Sequence, residues 1–504
     1  MGLGFLLTGC ATVGNIKNDN KELIYNGNSA VMVDGHLYYG NAFADYSSFS
    51  SDSDYKKSAQ LAYLARLNTN VDLSAKTEDY SPKNVEKVAE EVVGQSKNFM
   101  FVLGNYIYYA TPNRQRIKGD DGKSKHYFNY TALYRSKLNG DGKEKIYTTT
   151  GEISDIQVLK YENKYYVVML AGTDLVKIQL GNDTKTTVIA KDVKSVAIPK
   201  TKRDGVASST YDWNGYVYFT VDNKDEDNSD ISGSIVKRVL ISSKDEEKLA
   251  TWSNGTTVSF IGREKDQLFF TMSGHETEVF TADVSDHSET IKNFDTNTKF
   301  YSASTISNIS LIATEAREYG YVFTTSSGAL AYGTKAGKSG AITLKNGEDM
   351  ISSFKVLFVK DRTVFLSTTS GIYSADLSAV FNENVTTVSC TTVVTMTSIY
   401  DGTLYAYDGT YIYYYAKLEE VKTDENKDDD KSDKTTETDD NYYLYRTRAS
   451  KSSSADVGKA YELLGLTKIK SRRTKKDWVF SLFLLQIFKN VLSIFQNPLD
   501  KRAI

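Results

Sequence analysis

The stretch Asn214-Gly215-Tyr216-Val217-Tyr218-Phe219 joins a tight polar turn to a run of aromatic and β-branched residues. Asn-Gly supplies the positive φ values that a short hairpin turn requires, and the residues after it favour a strand. The six residues therefore predict one β-hairpin. Looser copies of the pattern recur along the chain, with their turns at Gly35, Asn105, Asn163, Asp266, Gly320, Arg362 and Gly402.

A second strand pattern follows each of these eight turns. The eight second patterns cover residues 63–67, 133–138, 175–178, 235–239, 279–284, 329–332, 372–377 and 443–446. The turns are 40 to 70 residues apart. Repeats of that length with several strands each are typical of β-propeller blades, which bury their two faces against neighbouring blades. We therefore predict an all-β fold, a β-propeller of seven or eight four-stranded blades over residues 30–466.

Two other repeat architectures fit the sequence pattern less well than a propeller does. A β-solenoid would have a shorter repeat, and tandem sandwiches would lack one short shared motif. Hydrophobic residues make up 40% of the 504 residues, which is enough for a large core.

The composition excludes several function classes. The 61 Lys and Arg against 64 Asp and Glu leave a net charge of -3, so we expect no nucleic-acid partner. Two Cys exclude a disulfide framework or a cysteine-rich zinc site, and four scattered His leave little for metal binding. No cofactor or metal motif is present in the sequence, so we expect neither.

The paired strand motifs resemble those of the lipoprotein-receptor type of propeller, in which a Tyr-Trp-Thr-Asp strand precedes a strand that ends in leucine and a glycine turn. Tyr218-Phe219-Thr220 matches the first half with Phe in place of Trp, and residues 133–142 resemble the second half. The resemblance is closer to bacterial prolow-density lipoprotein receptor-related-like propellers, which are often lipid-anchored. It covers residues 30–466 and implies the fold. Because the Trp and Asp are mostly absent, the receptor's ligand sites are not carried over.

The N-terminus resembles a bacterial lipoprotein signal. Leu7-Thr8-Gly9-Cys10 has the form of a lipobox, in which the cysteine is diacylated, and two acyl chains anchor a protein stably. Since no Lys or Arg precedes Leu7, we interpret residues 1–10 as a truncated signal segment and residues 11–29 as a tether. The alternative is an ordinary apolar N-terminus with a chance Cys. We expect a protein anchored through Cys10 on the extracytoplasmic face of the cell membrane.

Four insertions fall between the first and second motif of a repeat, at residues 40–58, 111–129, 222–232 and 417–441. If the two motifs are the middle strands of a blade, all four lie on one face of the disc, where long loops usually bind ligands. The candidate ligand residues in these loops are Tyr46, Tyr127, Phe128, Asp225 and Asp227. Residues 422–440 hold nine acids and four Lys, which predicts a disordered solvated loop. Neither this segment nor residues 222–227 has the carboxylate spacing of a calcium loop.

Catalytic patterns are weak. The chain has no Gly-x-Ser-x-Gly elbow and no phosphate-binding loop, and Cys390 lies in strand-like sequence typical of a core. The tyrosines Tyr38, Tyr108, Tyr218 and Tyr413 recur inside strands, which favours blade packing over sugar stacking. A pair of carboxylates in the central channel stays open, since sequence spacing does not give their separation.

The last segment, residues 467–504, changes abruptly to a basic stretch followed by an apolar one at residues 478–495. An interfacial amphipathic helix, a membrane-spanning helix and a translated frame artefact are all left open for it.

The sequence as a whole predicts a lipid-anchored propeller that acts as a binding or scaffolding module for a protein or glycan partner at the cell surface. The alternative is a carbohydrate-active propeller enzyme that uses an acidic pair in the channel.

Overall fold

A computed structural model gives the structure of the chain. It describes residues 23–25, 30–41, 53, 63–69, 85–91, 99–118, 122, 124–149, 151–181, 184–199, 213–223, 232–252, 255–264, 266–275, 278–285, 299–302, 306–312, 320–325, 327–334, 338–383, 385–395, 405–417, 442–450 and 461–467. Within them, no helix combines the length and the hydropathy of a transmembrane span.

The described residues are almost entirely strands. These are β1 Leu23–Tyr25, β2 Ala30–Val33, β3 His36–Gly40, β4 Leu64–Asn68, β5 Val85–Ala89, β6 Met100–Leu103, β7 Tyr106–Lys118, β8 Ser124–Lys137, β9 Glu144–Thr148, β10 Ile153–Tyr161, β11 Lys164–Ala171, β12 Asp174–Gln179, β13 Lys185–Ala190, β14 Val193–Ala197, β15 Tyr216–Asp222, β16 Ser234–Leu240, β17 Glu246–Thr251, β18 Val258–Glu264, β19 Gln267–Met272, β20 Glu278–Asp283, β21 Lys299–Ser302, β22 Ile306–Ile312, β23 Gly320–Thr325, β24 Leu330–Thr334, β25 Ser339–Asn346, β26 Asp349–Met350, β27 Lys355–Lys360, β28 Thr363–Thr368, β29 Gly371–Asp376, β30 Thr387–Thr395, β31 Tyr405–Tyr407, β32 Tyr411–Lys417, β33 Tyr442–Arg448 and β34 Tyr461–Thr467. One short helix, α1 Ser378–Glu383, lies between β29 and β30.

The strands form blades in chain order. Within the described residues there are eight groups of four consecutive antiparallel strands: β2–β5, β6–β9, β10–β13, β14–β17, β18–β21, β22–β25, β27–β30 and β31–β34, here blades 1 to 8. First strands of successive blades contact one another, for example β2 with β6 and β14 with β18, which places them nearest the axis. The fold is an all-β propeller, and the part of the chain that the structure describes forms eight blades.

Both faces of each blade are buried, and β11 shows how the sequence achieves this. Side chains alternate between the two faces of a strand. Val167 and Met169 belong to the core between blades 2 and 3, whereas Tyr166 and Val168 belong to the core between blades 3 and 4. An apolar run without polar alternation is therefore what a blade's inner strands require.

The cores form a closed ring. Within the described residues, eight hydrophobic clusters each join one blade to the next. The cluster that joins blade 8 to blade 1 packs Tyr413 and Tyr415 against Leu37 and Tyr39. Ring closure therefore rests on side-chain packing between the first and last blades, each built from one end of the propeller sequence.

The repeat pattern predicted most of these strands correctly. All eight second patterns are third strands of blades, and seven of the eight turn motifs lead into second strands. The motif at Gly402 was wrong by one strand, because Tyr405 begins the first strand of blade 8. The turn into its second strand is at Asp408-Gly409, where Gly409 has a φ of +95°.

Two predicted boundaries change. Residues 23–25, which the sequence assigned to the tether, form β1, and β1 pairs with β6 of blade 2. The last strand, β34, ends at Thr467, one residue beyond the expected limit of the propeller. The acidic segment 422–440 and the tail from residue 468 lie outside the described residues.

Candidate functional site

The four predicted insertions share one face of the disc. Strands alternate in direction within a blade, and β25 pairs in parallel with β30, so equivalent strands of blades 6 and 7 run in the same direction. In a propeller built this way, all connections between second and third strands lie on the same face. This face, called the insertion face, therefore carries the β3–β4, β7–β8, β15–β16 and β32–β33 connections. The opposite face, called the turn face, carries the connections between first and second strands and between third and fourth strands. Seven of the eight first-to-second connections have two to seven residues, and the one from β14 to β15 has 18.

Blade 2 extends past the disc on the insertion face. Its middle strands β7 and β8 have 13 and 14 residues, whereas the second and third strands of the other blades have five to eight. Pairing with β6 stops at Tyr109, and pairing with β9 stops at Ala132. The remainder, Pro112–Lys118 paired with Ser124–Thr131, is a two-stranded ribbon called the arm. Seven residues at strand rise make it about 23 Å long.

Two of the predicted ligand residues lie in the arm. The sequence assigned Tyr127 and Phe128 to a loop, and this was wrong: both belong to β8, where Tyr127 pairs with Gln115 and Phe128 with Arg114. Because successive strand residues alternate, Tyr127 and Phe128 lie on opposite faces of the ribbon. The sequence pattern does not predict this hairpin, because its residues lack the apolar alternation of a half-buried strand.

The arm is basic in a protein that is slightly acidic. Residues 112–131 contain five Lys or Arg and two Asp, a net charge of +3, whereas the whole chain has a net charge of -3. The pairing of Arg116 with His126 and of Lys118 with Ser124 continues the register from Arg114 and Phe128. Arg114, Arg116 and Lys118 thus occupy alternate positions of one strand, on one face of the ribbon.

The root of the arm contains an unusual buried amide. Asn113 lies at a register shift between Pro112 and Arg114, only 1% exposed, and neither its Nδ2 nor its Oδ1 has a hydrogen-bond partner. Beside it, the Thr131 amide donates to Thr149 Oγ1 at 3.0 Å. An unsatisfied buried amide costs free energy, so this residue does not stabilise the fold as it stands. Its position marks where the ribbon leaves the blade.

Rows of Tyr, Arg and Glu cross the middle strands of several blades. In blade 1, Tyr38 is opposite Arg66, which is opposite Glu86, and the Arg66 Nε donates to Glu86 Oε2 at 2.8 Å. Equivalent rows occur in blades 2, 4 and 8, as Tyr108–Arg135–Glu144, Tyr218–Arg238–Glu247 and Tyr413–Arg446–Glu462.

These rows are linked to the next blade along the ring. The Tyr38 hydroxyl donates to the carbonyl of Leu138 at 3.0 Å, and Arg135 Nη1 donates to that of Gly181 at 2.9 Å. In blade 3, Lys177 Nζ donates to the carbonyls of Ile241 and Ser243 in blade 4, at 2.5 and 2.7 Å. Burial lowers the pKa of Lys177, so these carbonyls replace much of its hydration. These hydrogen bonds between blades explain why tyrosine, arginine and lysine side chains recur in the middle strands of successive blades.

The strand tyrosines are packing residues. Tyr38, Tyr108, Tyr218 and Tyr413 are at most 2% exposed. The Tyr413 hydroxyl donates to Asp408 Oδ2 at 2.7 Å, which ties the second strand of blade 8 to its turn. Burial raises the pKa of Tyr413 above its usual value, with a further contribution from Asp408. The interpretation as blade packing therefore agrees with their positions.

A fully buried arginine lies between blades 4 and 5 near the turn face. Arg263 donates to the Tyr216 carbonyl at 2.6 Å and to Asn214 Oδ1 at 3.1 Å, and its guanidinium lies 5.2 Å from the Tyr218 ring centre. Burial lowers the pKa of Arg263 to about 10, which leaves it charged at neutral pH. No local sequence pattern points to this residue, because its hydrogen-bond partners Tyr216 and Asn214 lie 47 and 49 positions away.

Acidic groups surround a neighbouring tyrosine. Burial raises the pKa of Tyr321, and the charges of Glu264, Asp283 and Asp266 raise it further. Glu264 pairs with Gln267, which pairs with Asp283, so these residues form one row across blade 5. Within the described residues, no three His, Cys, Asp or Glu side chains are arranged to hold a metal ion.

Other sequence candidates have different outcomes. Cys10, Tyr46, Asp225 and Asp227 lie outside the described residues. Cys390 is buried in the core between blades 6 and 7, where burial raises its thiol pKa to about 11. A thiol held protonated in this way is a poor nucleophile at neutral pH, so it belongs to the core.

Comparisons with known proteins do not place the chain in a family. No family model and no curated protein matches the chain. A solved structure from a study of two prolyl endopeptidases, concerned with inter-domain dynamics in catalysis and specificity, is 11% identical with a TM-score of 0.33. The match covers 85% of this chain, which spans about half, 53%, of that enzyme's chain. A likeness at this level assigns neither a family nor an activity to the protein.

Proposed function

We propose that the protein is a lipid-anchored, extracytoplasmic β-propeller that acts as a binding module for a protein or glycan partner, with the insertion face as its binding surface. The observation that carries the proposal is the arm. It is built from a blade's own middle strands, which continue about 23 Å past the pairing of blade 2. Elements that a rigid scaffold holds out in this way are where binding is commonly found.

The energetics of the arm support a binding role. An isolated two-stranded ribbon is marginally stable in water, and its Asn113 root contains unsatisfied buried polar atoms. Neither feature contributes to the stability of the ring. A partner that pairs with or packs on the ribbon would offset these costs.

The start of the described chain supports an outward orientation of the arm. Leu23 pairs with Leu103, next to the turn between β6 and β7, and therefore lies towards the turn face. The 12 residues between Cys10 and Leu23 reach at most about 40 Å when fully extended. An anchor at Cys10 would thus join the propeller at its turn face, on the side opposite the arm.

Two measurements on the full chain test this function. The first is membrane fractionation of the wild type and of Cys10→Ser: we expect the wild type in the membrane fraction and the variant in the soluble fraction. Equal membrane association of the two would contradict the lipid anchor.

The second measurement uses the full-length Cys10→Ser chain in thermal-shift titrations against cell-wall fragments, surface glycans and surface protein extracts. A ligand at about a hundredfold its dissociation constant stabilises a fold by about 2.7 kcal/mol, which gives a saturable rise in Tm. Turnover of a glycan in the same samples, detected as new reducing ends, would favour the enzyme alternative instead. No shift with any fragment or extract would contradict the binding role.

A further inference from the structure

The backbone of the arm arranges its basic residues in a row. Arg114, Arg116 and Lys118 are alternate residues of β7, so they lie on one face of the ribbon, about 6.6 Å apart along the strand. The three positions cover about 13 Å. A row of cations of this length fits a linear chain of negative charges better than one small anion.

The opposite strand adds positions on the same face. His126 is directly opposite Arg116, and Phe128 is directly opposite Arg114. Residues directly opposite one another in an antiparallel pair share a face. The face therefore combines guanidinium and ammonium groups, which bind carboxylate, sulfate and phosphate, with one aromatic ring and one imidazole.

We propose that this face of the arm binds a linear anionic polysaccharide, with Arg114, Arg116 and Lys118 as the basic positions and Phe128 as the aromatic position of the strand register. The inference rests on the proposed binding function and names its ligand class. Charge complementarity is local: the arm has a net charge of +3, whereas the whole chain has a net charge of -3. A duplex nucleic acid carries about one phosphate per 1.7 Å of its axis, which is much closer than the spacing of about 6.6 Å between the three positions. A chain with one acidic group per sugar therefore fits the row better.

The test compares two charge-matched variants of the full-length Cys10→Ser chain. The arm variant is Arg114→Ser/Arg116→Ser/Lys118→Ser. The control variant, Lys185→Ser/Lys191→Ser/Lys248→Ser, removes three exposed cations from blades 3 and 4. Neither triple touches a blade core, and circular dichroism verifies that both variants fold.

Calorimetric titration measures the affinity for four probes: a heparin oligosaccharide, a polygalacturonate oligosaccharide, neutral dextran and a DNA duplex. We expect at least one acidic oligosaccharide to bind, with an affinity that falls between about 50 and about 200 mM salt because exposed charges are screened. The arm variant should weaken this binding by at least about tenfold and the control by less than about twofold.

Three results would overturn the inference: no acidic oligosaccharide binds the folded protein, both variants lose affinity equally, or the DNA duplex binds more tightly than every glycan. Binding of a neutral glycan or a protein without any acidic glycan would refute this inference alone. The proposed binding function would stand in that case, and it fails only if no fragment or extract binds at all.

Discussion

The hydroxyl of Tyr415, on the second strand of blade 8, donates a 2.9 Å hydrogen bond to the carbonyl of Gly40, on the second strand of blade 1. The two residues are 375 positions apart in the chain. Nearby, Arg446 Nη1 donates to the carbonyl of Thr69 at 3.2 Å. With the shared core around Tyr413 and Leu37, these bonds close the ring between its first and last blades.

Removing the Tyr415 hydroxyl tests this closure. Tyr415→Phe keeps the aromatic side chain but leaves the Gly40 carbonyl without its buried donor. We expect the substitution to lower the free energy of unfolding by about 1 to 3 kcal/mol. Urea denaturation measures it. Tyr106→Phe, at a tyrosine that is 37% exposed, is the control and should change stability by less than about 0.5 kcal/mol. Equal stability of Tyr415→Phe and the wild type would show that the bond does not hold the ring closed.

Lys177 provides a second test, at the junction of blades 3 and 4. Lys177→Met preserves the apolar stem and removes the ammonium that serves the Ile241 and Ser243 carbonyls. We expect a loss of about 1 to 3 kcal/mol, because the buried Ile241 carbonyl and the partly buried Ser243 carbonyl lose their donor. Lys185→Met, at an exposed position of the same blade, should be neutral in the same denaturation experiment. A Lys177→Met protein as stable as the control would mean that water replaces the ammonium without cost.

The turn between β8 and β9 of blade 2, which lies against β5 of blade 1, contains two glycines. Alanine substitutions at these glycines distinguish the free-energy cost of a steric clash from the cost of backbone strain. Gly140 has a φ of +90°, and a Cβ there would collide with the Val88 carbonyl oxygen, whereas Gly142 has a φ of +64° and open space. Gly142→Ala should cost about 1 to 2 kcal/mol from backbone strain alone. Gly140→Ala should cost about 1 to 3 kcal/mol more, since β5 of blade 1 must shift. Equal melting temperatures for the two variants would contradict the close approach of these blades.

The buried tyrosines predict how stability depends on alkaline pH. Burial raises the pKa values of Tyr39, Tyr321 and Tyr413, whereas an unfolded tyrosine titrates near 10. The native state keeps protons that the unfolded state loses, so stability is complete below pH 10 and falls as the pH rises above it. Each such tyrosine contributes a slope of about 1.4 kcal/mol per pH unit. Urea midpoints at pH 9, 10 and 11 measure the effect, and Tyr321→Phe should reduce the slope. A midpoint that stays constant up to pH 11 would contradict the burial of these hydroxyls.

The fold could be predicted because the repeat is a local pattern. A turn such as Asn214-Gly215 and the strand after it lie within a few residues, so chain order alone locates a blade. The pattern failed in blade 8 because two Asp-Gly pairs, at Asp401 and Asp408, each precede tyrosine-rich residues. A first strand and a second strand then have the same sequence appearance, and only pairing distinguishes them.

The site could be predicted only in position. Excess length locates the insertions, but the sequence predicts a loop where the arm lies, because a ribbon outside the blades does not need one apolar face. Interblade bonds such as Tyr38 to Leu138 join residues 100 positions apart, which no local pattern reports. The same holds for Asn113, whose missing partners are visible only in the folded chain.

We propose that the arm on the insertion face is the binding element of the propeller. Thr111 pairs directly with Ala132, so residues 112–131 can be replaced by Asn-Gly, a two-residue turn that suits that register. Affinity for whichever fragment or glycan binds the full-length Cys10→Ser chain is then measured for the chain without the arm. We predict a loss of at least about tenfold, or about 1.4 kcal/mol, with a melting temperature equal to or above the original. Unchanged affinity in a folded protein without the arm would contradict the claim.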